Sequence, residues 1–136
     1  MKKRIKLSLI DINGKKYTSE EVTKIYFKAE EEGARAILPG SNDLSIKLPI
    51  SIFYFQEDGN VKTVATSGGF LSFYKNEATF ALNTYEFAEE IDKQRVLKQK
   101  ENAEEILALK DKYELKDIEK AETSLKKAIN RLTLLK

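Results

Sequence analysis

The sequence predicts an all-β N-terminal part, a flattened β-sandwich or barrel, followed by a C-terminal α-helical hairpin. Two distributions along the 136 residues support this prediction. Every Gly and both Pro residues lie in the first 69 positions, and of the 13 Phe and Tyr residues only Tyr113 lies beyond Phe87. Aromatic sequence broken by turn residues favours strands, whereas a long stretch without Gly or Pro favours helices. We therefore place a domain boundary after Tyr85, giving units 1–85 and 86–136.

Alternating apolar residues predict the strands of the first unit. Ile5, Leu7 and Leu9 share one face of a strand that precedes the Asn13-Gly14 turn. A second strand follows around 22–27, where the alternation is less regular. Segments 50–55 and 61–65 form one predicted hairpin, and segments 70–73 and 78–82 form another. Several short strands separated by turns are typical of a small sandwich or barrel.

The second unit has the apolar spacing of helices. Residues 110–114 interrupt the pattern, which places a turn between two antiparallel helices whose apolar stripes are expected to cover each other. The stripe of the second helix consists of Ile118, Ala121, Leu125, Ala128, Ile129, Leu132 and Leu135.

The composition excludes several classes of function. The chain has no His and no Cys, which excludes zinc sites built on those residues, cysteine nucleophiles and a Ser-His-Asp triad. A net charge of +2 gives no strong field that would attract nucleic acid. No apolar run approaches the ~18–20 residues of a membrane span. We predict no metal site, no nucleic-acid partner and no direct insertion into a membrane.

Conspicuous turn residues are predicted to be structural. The Ser-Gly-Gly segment at 67–69 lacks the Lys and the following helix of a phosphate loop, and predicts a close approach of two backbones. The segment at 38–40 predicts a tight turn, and the acidic run at 30–32 predicts a solvated loop rather than a metal or acid–base site. The predicted structural turn residues are Gly33, Pro39, Gly40, Gly68 and Gly69.

Four cations on the last helix form a feature that we call the basic ridge. At about 100° per residue, Lys116, Lys120, Lys127 and Arg131 fall within an arc of about 60°. One interpretation is an ordinary solvated helix face. The other is a surface that docks on an acidic partner or a polyphosphate.

Four motifs occur in order along the chain: AILPG at 36–40, SGGFL at 67–71, AEEIDKQR at 88–95 and AINRL at 128–132. Together they resemble the epsilon-subunit family of F-type ATP synthases, and the resemblance covers essentially the full chain. It implies a β-sandwich followed by a helical hairpin, as the composition predicts independently. It also implies a non-catalytic subunit with no required cofactor.

The resemblance implies a place in a rotary machine on the cytoplasmic face of the cell membrane, as a peripheral component. The β-domain would contact the gamma subunit and the membrane c-ring, and so help couple ion flow to rotation. The helical hairpin would be a mobile regulatory arm whose basic ridge meets the alpha/beta catalytic hexamer and restrains ATP hydrolysis. The usual acidic contact before the turn at 38–40 is replaced by Ala34-Arg35-Ala36, although Glu30 to Glu32 lie just upstream.

The resemblance also implies a possible regulatory ATP site in the folded hairpin. Two departures predict weak or absent binding: Val96 stands where a small residue is usual, and Asn102 stands where an Arg is usual. The residues that match the site are Glu86, Ile91, Asp92, Arg95, Lys127 and Arg131.

Two alternatives remain open at this point. One is a separate nucleotide-sensing module, a β-domain with a helical arm that closes on ATP. The other is a hydrolase that uses Asp92 or Glu86 as a base, which only the availability of carboxylates supports.

Overall fold

The computed structural model describes residues 4–135, and within that range nine strands precede two helices. The chain divides into two compact units between Ala88 and Glu89. The predicted fold class, an all-β part followed by a helical hairpin, is confirmed. The strands are β1 (Ile5–Asp11), β2 (Lys16–Ala29), β3 (Gly33–Ile37), β4 (Leu44–Leu48), β5 (Ser51–Glu57), β6 (Asn60–Thr66), β7 (Gly69–Tyr74), β8 (Glu77–Leu82) and β9 (Tyr85–Phe87). The helices are α1 (Lys93–Ala108) and α2 (Leu115–Leu134).

The strands form a hydrogen-bonded path that folds over on itself. Its order is β4-β7-β8-β1-β2-β5-β6-β9, and β3 also pairs with β2. The β1–β8 pair is parallel, whereas its neighbours β7–β8 and β1–β2 are antiparallel. Phe53 on β5 and Phe80 on β8 are not on neighbouring strands, yet their rings stack with centroids 4.3 Å apart. The two halves of the path therefore face each other, as in a sandwich.

The core lies between these two halves. Along β8 every second residue is buried, and β1 alternates in the same way, as expected when one face of a sheet is covered. The largest fully buried side chains are Phe53, Phe55, Phe73, Phe80, Ile5, Leu7, Leu9, Ile25, Ile37, Leu71, Val22 and Val64.

Three strands were absent from the sequence prediction: β3, β4 and β9. Strand β3 is short and largely exposed, and it shows little apolar alternation. Strand β4 does alternate, with Leu44, Ile46 and Leu48 on one face, but it spans only five residues. Strand β9 is three residues long and pairs with β6, so the predicted boundary after Tyr85 falls inside it. The irregular spacing in β2 has a physical cause, since the pairing register shifts between Val22 and Lys24.

The hairpin joins α1 and α2 through a short 3-10 turn at Lys110–Lys112. The residues buried along it are mostly small: Val96 and Ala103 on α1, and Ala121 and Ala128 on α2. Each pair is seven residues apart and so lies on one helix face. Ile129, a member of the predicted stripe, is 45% exposed. The expectation that the stripes cover each other therefore holds for the alanines of α2 but fails for Ile129. Neither helix of the described range is long and apolar enough to cross a membrane.

Candidate functional site

The N-terminus of α1 is fixed by Asp92, a residue of the predicted nucleotide set. Asp92 is the N-cap, and its side-chain carboxylate accepts a hydrogen bond from the backbone N–H of Arg95 at 3.2 Å. Such a cap satisfies a backbone donor that the helix leaves unpaired. Asp92 thus has a structural role in the helix that does not depend on a ligand.

Three side chains connect the two helices near the middle of α1. The amide of Gln99 donates from Nε2 to the hydroxyl of Ser124 at 3.1 Å, and its Oε1 accepts from the guanidinium of Arg131 at 3.2 Å. All three side chains are half-buried. We call Gln99, Ser124 and Arg131 the Gln99 bridge. Sequence reasoning missed it, because no local pattern shows which residues of two helices meet.

The basic ridge is divided by its surroundings. Lys116 and Lys120 are exposed, whereas Lys127 and Arg131 are half-buried. Lys116 Nζ lies 3.8 Å from Glu114 Oε2, and both side chains are largely exposed, so this ion pair contributes little. Two cations near the turn thus face solvent, while the two nearer the C-terminus are packed.

The predicted nucleotide set is spread over both units. Glu86 lies on β9 in the first unit, whereas Ile91, half-buried, and the remaining members lie in the second. Within the hairpin, Arg95 and Gln99 are four residues apart and therefore share a face of α1. Because Gln99 binds Arg131, this cation of α2 lies against the face of α1 that also carries Arg95.

The two departures from the usual nucleotide motif differ in position. Val96 is buried, so its extra bulk is accommodated within the fold. Asn102 is exposed on α1. Its short neutral side chain offers none of the bidentate charge that an Arg would present to a phosphate.

A groove in the β-unit is a second candidate site, which the sequence analysis did not identify. It has a volume of about 420 Å³ and is lined in part by Ile10, Leu48 and Leu82. Its two most exposed apolar lining residues are Ile12, which is 74% exposed, and Phe70, which is 58% exposed. An exposed cluster of large apolar side chains marks an interaction surface. The only signal in the sequence was the run of apolar residues around the end of β1.

The floor of the groove contains the two glycines at 68 and 69. A Cβ on Gly69 would collide with the backbone carbonyl of Ala81, and one on Gly68 would lie 3.1 Å from the carbonyl oxygen of Leu48. The neighbouring hydroxyls of Ser67 and Thr84 hydrogen-bond to each other at 2.6 Å. These residues therefore hold strands together and present no phosphate cradle.

The remaining predicted turn residues lie at chain reversals. Gly33 begins β3 directly after the acidic turn. Pro39 and Gly40 occupy the middle of a turn that is closed by the N–H of Ser41, which donates to the carbonyl of Leu38 at 3.0 Å. With Pro second and Gly third, this is the arrangement that a type II turn favours.

The acidic run joins β2 to β3, and two of its carboxylates have cationic neighbours. Glu32 pairs with Arg35, and Glu30 lies 3.6 Å from Lys47 Nζ. Both pairs are largely exposed, so they add little stability. Among residues 4–135, no group of three or more acidic side chains is placed to hold a metal ion.

One titratable group of the β-unit is strongly perturbed. The hydroxyl of Tyr17 donates a 2.6 Å hydrogen bond to Glu57 Oε2. Burial raises the pKa of Tyr17 to about 12, helped by this hydrogen bond and by the negative charge of Glu57. The ring of Tyr17 also packs edge-on against Phe87, with centroids 5.0 Å apart. The pair is therefore a structural tie between β2, β5 and β9 and not a source of acid–base chemistry near neutral pH.

Comparisons with known proteins match both units. Residues 4–88 match the family described as "ATP synthase, Delta/Epsilon chain, beta-sandwich domain", and residues 89–136 match its "long alpha-helix domain". The ATP synthase epsilon chain of Bacillus licheniformis is 35% identical over 130 residues, which cover 96% of each chain. That of Bacillus velezensis is 33% identical over the same length, with the same coverage.

Solved structures share the fold. A chain of the Euglena gracilis mitochondrial ATP synthase superposes with a TM-score of 0.81 at 20% identity, covering 98% of this chain and 82% of that one. A chain of the Tetrahymena thermophila mitochondrial ATP synthase central stalk and c-ring superposes with a TM-score of 0.61 at 13% identity. This match covers 99% of this chain and 98% of that one. Both matches span the two units, in agreement with the matched domains and the relatives of similar length. The chain therefore belongs to the ATP synthase epsilon-chain family.

Proposed function

We propose that this chain is a non-catalytic subunit of the central stalk of an F-type ATP synthase. It helps couple ion flow to rotation, and its helical hairpin restrains ATP hydrolysis. The observation that carries this proposal is the match of both units, over 96% of the chain, to epsilon chains of similar length. Its partners in this role are the gamma subunit, the membrane c-ring and the alpha/beta hexamer. The chain acts as a peripheral component on the cytoplasmic face of the membrane.

The β-unit supplies the stalk contact in this proposal. Its groove combines apolar lining with two exposed apolar side chains, Ile12 and Phe70, and a subunit interface covers surfaces of that kind. We assign the c-ring contact to the acidic turn at 30–32, which lies just upstream of the segment where the acid usual for the family is missing.

The hairpin supplies the regulatory arm. Lys116 and Lys120 are exposed on α2 and are available to an acidic partner surface, whereas Lys127 and Arg131 are half-buried. A mobile arm that exposes the whole basic ridge presents four cations to the catalytic hexamer. Attraction of this kind is long-ranged and weakened by salt.

Truncation after Ala88 tests the regulatory part of this proposal, because the two compact units divide at that point. The complex assembled with residues 1–88 is expected to form normally and to hydrolyse ATP faster than the complex with the full chain. Equal hydrolysis rates in the two complexes would refute the restraining role while leaving the stalk assignment intact.

A second candidate function, binding of ATP as a regulatory ligand, is favoured by one observation. The Gln99 bridge brings Arg131 against the face of α1 that carries Arg95. Millimolar ATP is then expected to raise the melting temperature of the full chain, and both Arg95→Ala and Arg131→Ala should abolish the shift. Gln94→Ala, an exposed position on the same helix, serves as the control. An unchanged melting temperature in ATP would exclude this candidate.

A further inference from the structure

The Gln99 bridge lies in a stripe of α1 that is otherwise apolar. Val96 and Ala103, which flank Gln99 at spacings of three and four residues, are both buried. On α2 the residues Ser124 and Arg131 alternate in the same way with the buried Ala121 and Ala128. Polar side chains between buried apolar ones weaken the packing of two helices unless they are hydrogen-bonded to each other. Where they are so bonded, they fix one register of the pair.

The amide of Gln99 uses both of its ends across the hairpin. Its nitrogen donates to Ser124, and its oxygen accepts from the guanidinium of Arg131. An apolar residue at 99 could make neither bond, and reversing the amide would place donor against donor at Arg131. The bond to a guanidinium is charge-assisted and is the stronger of the two.

We propose that Gln99 is the latch of the helical hairpin: it keeps α1 and α2 closed in one register and holds Arg131 between them until the helices separate. Separation breaks both bonds at once and removes a contact with α1 that helps to keep Arg131 half-buried. The closed hairpin therefore displays a reduced basic ridge, with Lys116 and Lys120 exposed, and the open hairpin displays a larger one. This consequence for the assembled complex rests on the proposed function, whereas the latch itself does not.

The latch can be measured on the full chain through a reporter thiol. The chain has no Cys, and Ala128 is fully buried, so Ala128→Cys introduces a single thiol that a maleimide reaches when the hairpin opens. In this background Gln99→Ala is expected to raise the labelling rate about tenfold. That factor corresponds to about 1.4 kcal/mol, the size of the lost hydrogen bonds. Gln94→Ala, exposed on the same helix, should leave the rate unchanged.

A second substitution protects the test against simple loss of folding. Gln99→Glu keeps an acceptor for Arg131 and can accept from the hydroxyl of Ser124, so its labelling rate should equal or fall below that of the Gln99 chain. Labelling as fast as in Gln99→Ala would show that the contact with Arg131 is not the latch. Equal rates for Gln99→Ala and Gln94→Ala would overturn the proposal as well.

Hydrolysis by the assembled complex then separates this inference from the proposed function. If Gln99→Ala speeds labelling but leaves hydrolysis by the complex unchanged, the latch stands and the restraining role fails. If labelling is unchanged, the latch fails whatever the complex does.

Discussion

Gly69 shows how one residue can be fixed by its surroundings. Its φ of +153° and the position of the Ala81 carbonyl leave no space for a side chain. Gly69→Ala is expected to cost more than about 2 kcal/mol of unfolding free energy, because the backbones of β7 and β8 must move apart. Chemical denaturation of the full chain, followed by Tyr fluorescence, measures this change.

Gly14→Ala is the matched control for that substitution. Gly14 also has a positive φ, +85°, but no atom lies within 4 Å of the position where its Cβ would be. Gly14→Ala should therefore lower the unfolding free energy only through backbone strain, by about 1 kcal/mol. If Gly69→Ala lowers the unfolding free energy no more than Gly14→Ala does, the close approach of β7 and β8 is contradicted.

Tyr17 makes stability depend on alkaline pH. Its pKa in the fold, about 12, lies above the ordinary value of 10.0, so the folded chain holds this proton more tightly than the unfolded chain. The stabilisation is complete below pH 10 and is lost as the pH rises through 12. Tyr17→Phe should lower the unfolding free energy by about 1 kcal/mol near neutral pH, because the hydrogen bond to Glu57 is lost. The same substitution should make the decline of the unfolding free energy between pH 10 and 12 less steep.

Denaturation curves at several pH values compare Tyr17→Phe with Tyr26→Phe, a phenol on the same strand β2. Tyr26→Phe should retain the steeper alkaline decline of the unmodified chain. The same alkaline slope in both variants would mean that the bond between Tyr17 and Glu57 does not control this proton.

At the scale of elements, the strands and turns that depend on neighbouring residues were predictable from the sequence. The β5–β6 and β7–β8 hairpins were identified because apolar alternation and a turn occur within one short segment. Both turns contain non-glycine residues with positive φ, namely Asp58, Lys75 and Asn76. Asp and Asn are among the L-residues that tolerate this conformation best, and Lys75 lies directly beside Asn76.

The elements and sites that depend on distant partners were not predictable. Strand β9 exists because three residues pair with β6, and the groove exists because the ends of several strands meet. The basic ridge was visible as a period along α2, but its division into exposed and half-buried cations was not visible in the sequence. In the sequence, nothing distinguishes Gln99 from the other polar residues of α1. Only its contacts with Ser124 and Arg131 in the structure do so.

The groove gives a prediction for the β-unit. Replacing Ile12 or Phe70 by Asp places a charge on a surface that the proposed stalk contact would bury, which is costly without a partner of opposite charge. Each substitution should weaken binding to a gamma-containing subcomplex at least about tenfold, or about 1.4 kcal/mol. Both side chains are mostly exposed, so the fold should be unaffected.

Val61→Asp is the matched control for the groove. Val61 is 57% exposed, close to the 58% of Phe70, and it does not line the groove. Titration of the labelled full chain with the subcomplex gives the three affinities. Equal weakening by the Val61 and Phe70 substitutions would place the contact elsewhere on the β-unit.

At the scale of the whole molecule, the two units divide the proposed work. The β-unit has an extensive apolar core and a groove with exposed apolar residues, as expected of a fixed structural contact. The hairpin buries mainly small side chains and carries its polar bridge between the helices, as expected of an element that can open. Elements that move in regulation are drawn from the less stable parts of a fold.

The central claim is that this chain is a stalk subunit of a rotary ATP synthase, and its partners test it most directly. We would recover the tagged full chain from detergent-solubilised membranes of its source and identify the proteins that accompany it. The claim predicts that the alpha, beta and gamma subunits are recovered with it in fixed proportion. Recovery of the chain alone, while those subunits are present in the same extract, would contradict it.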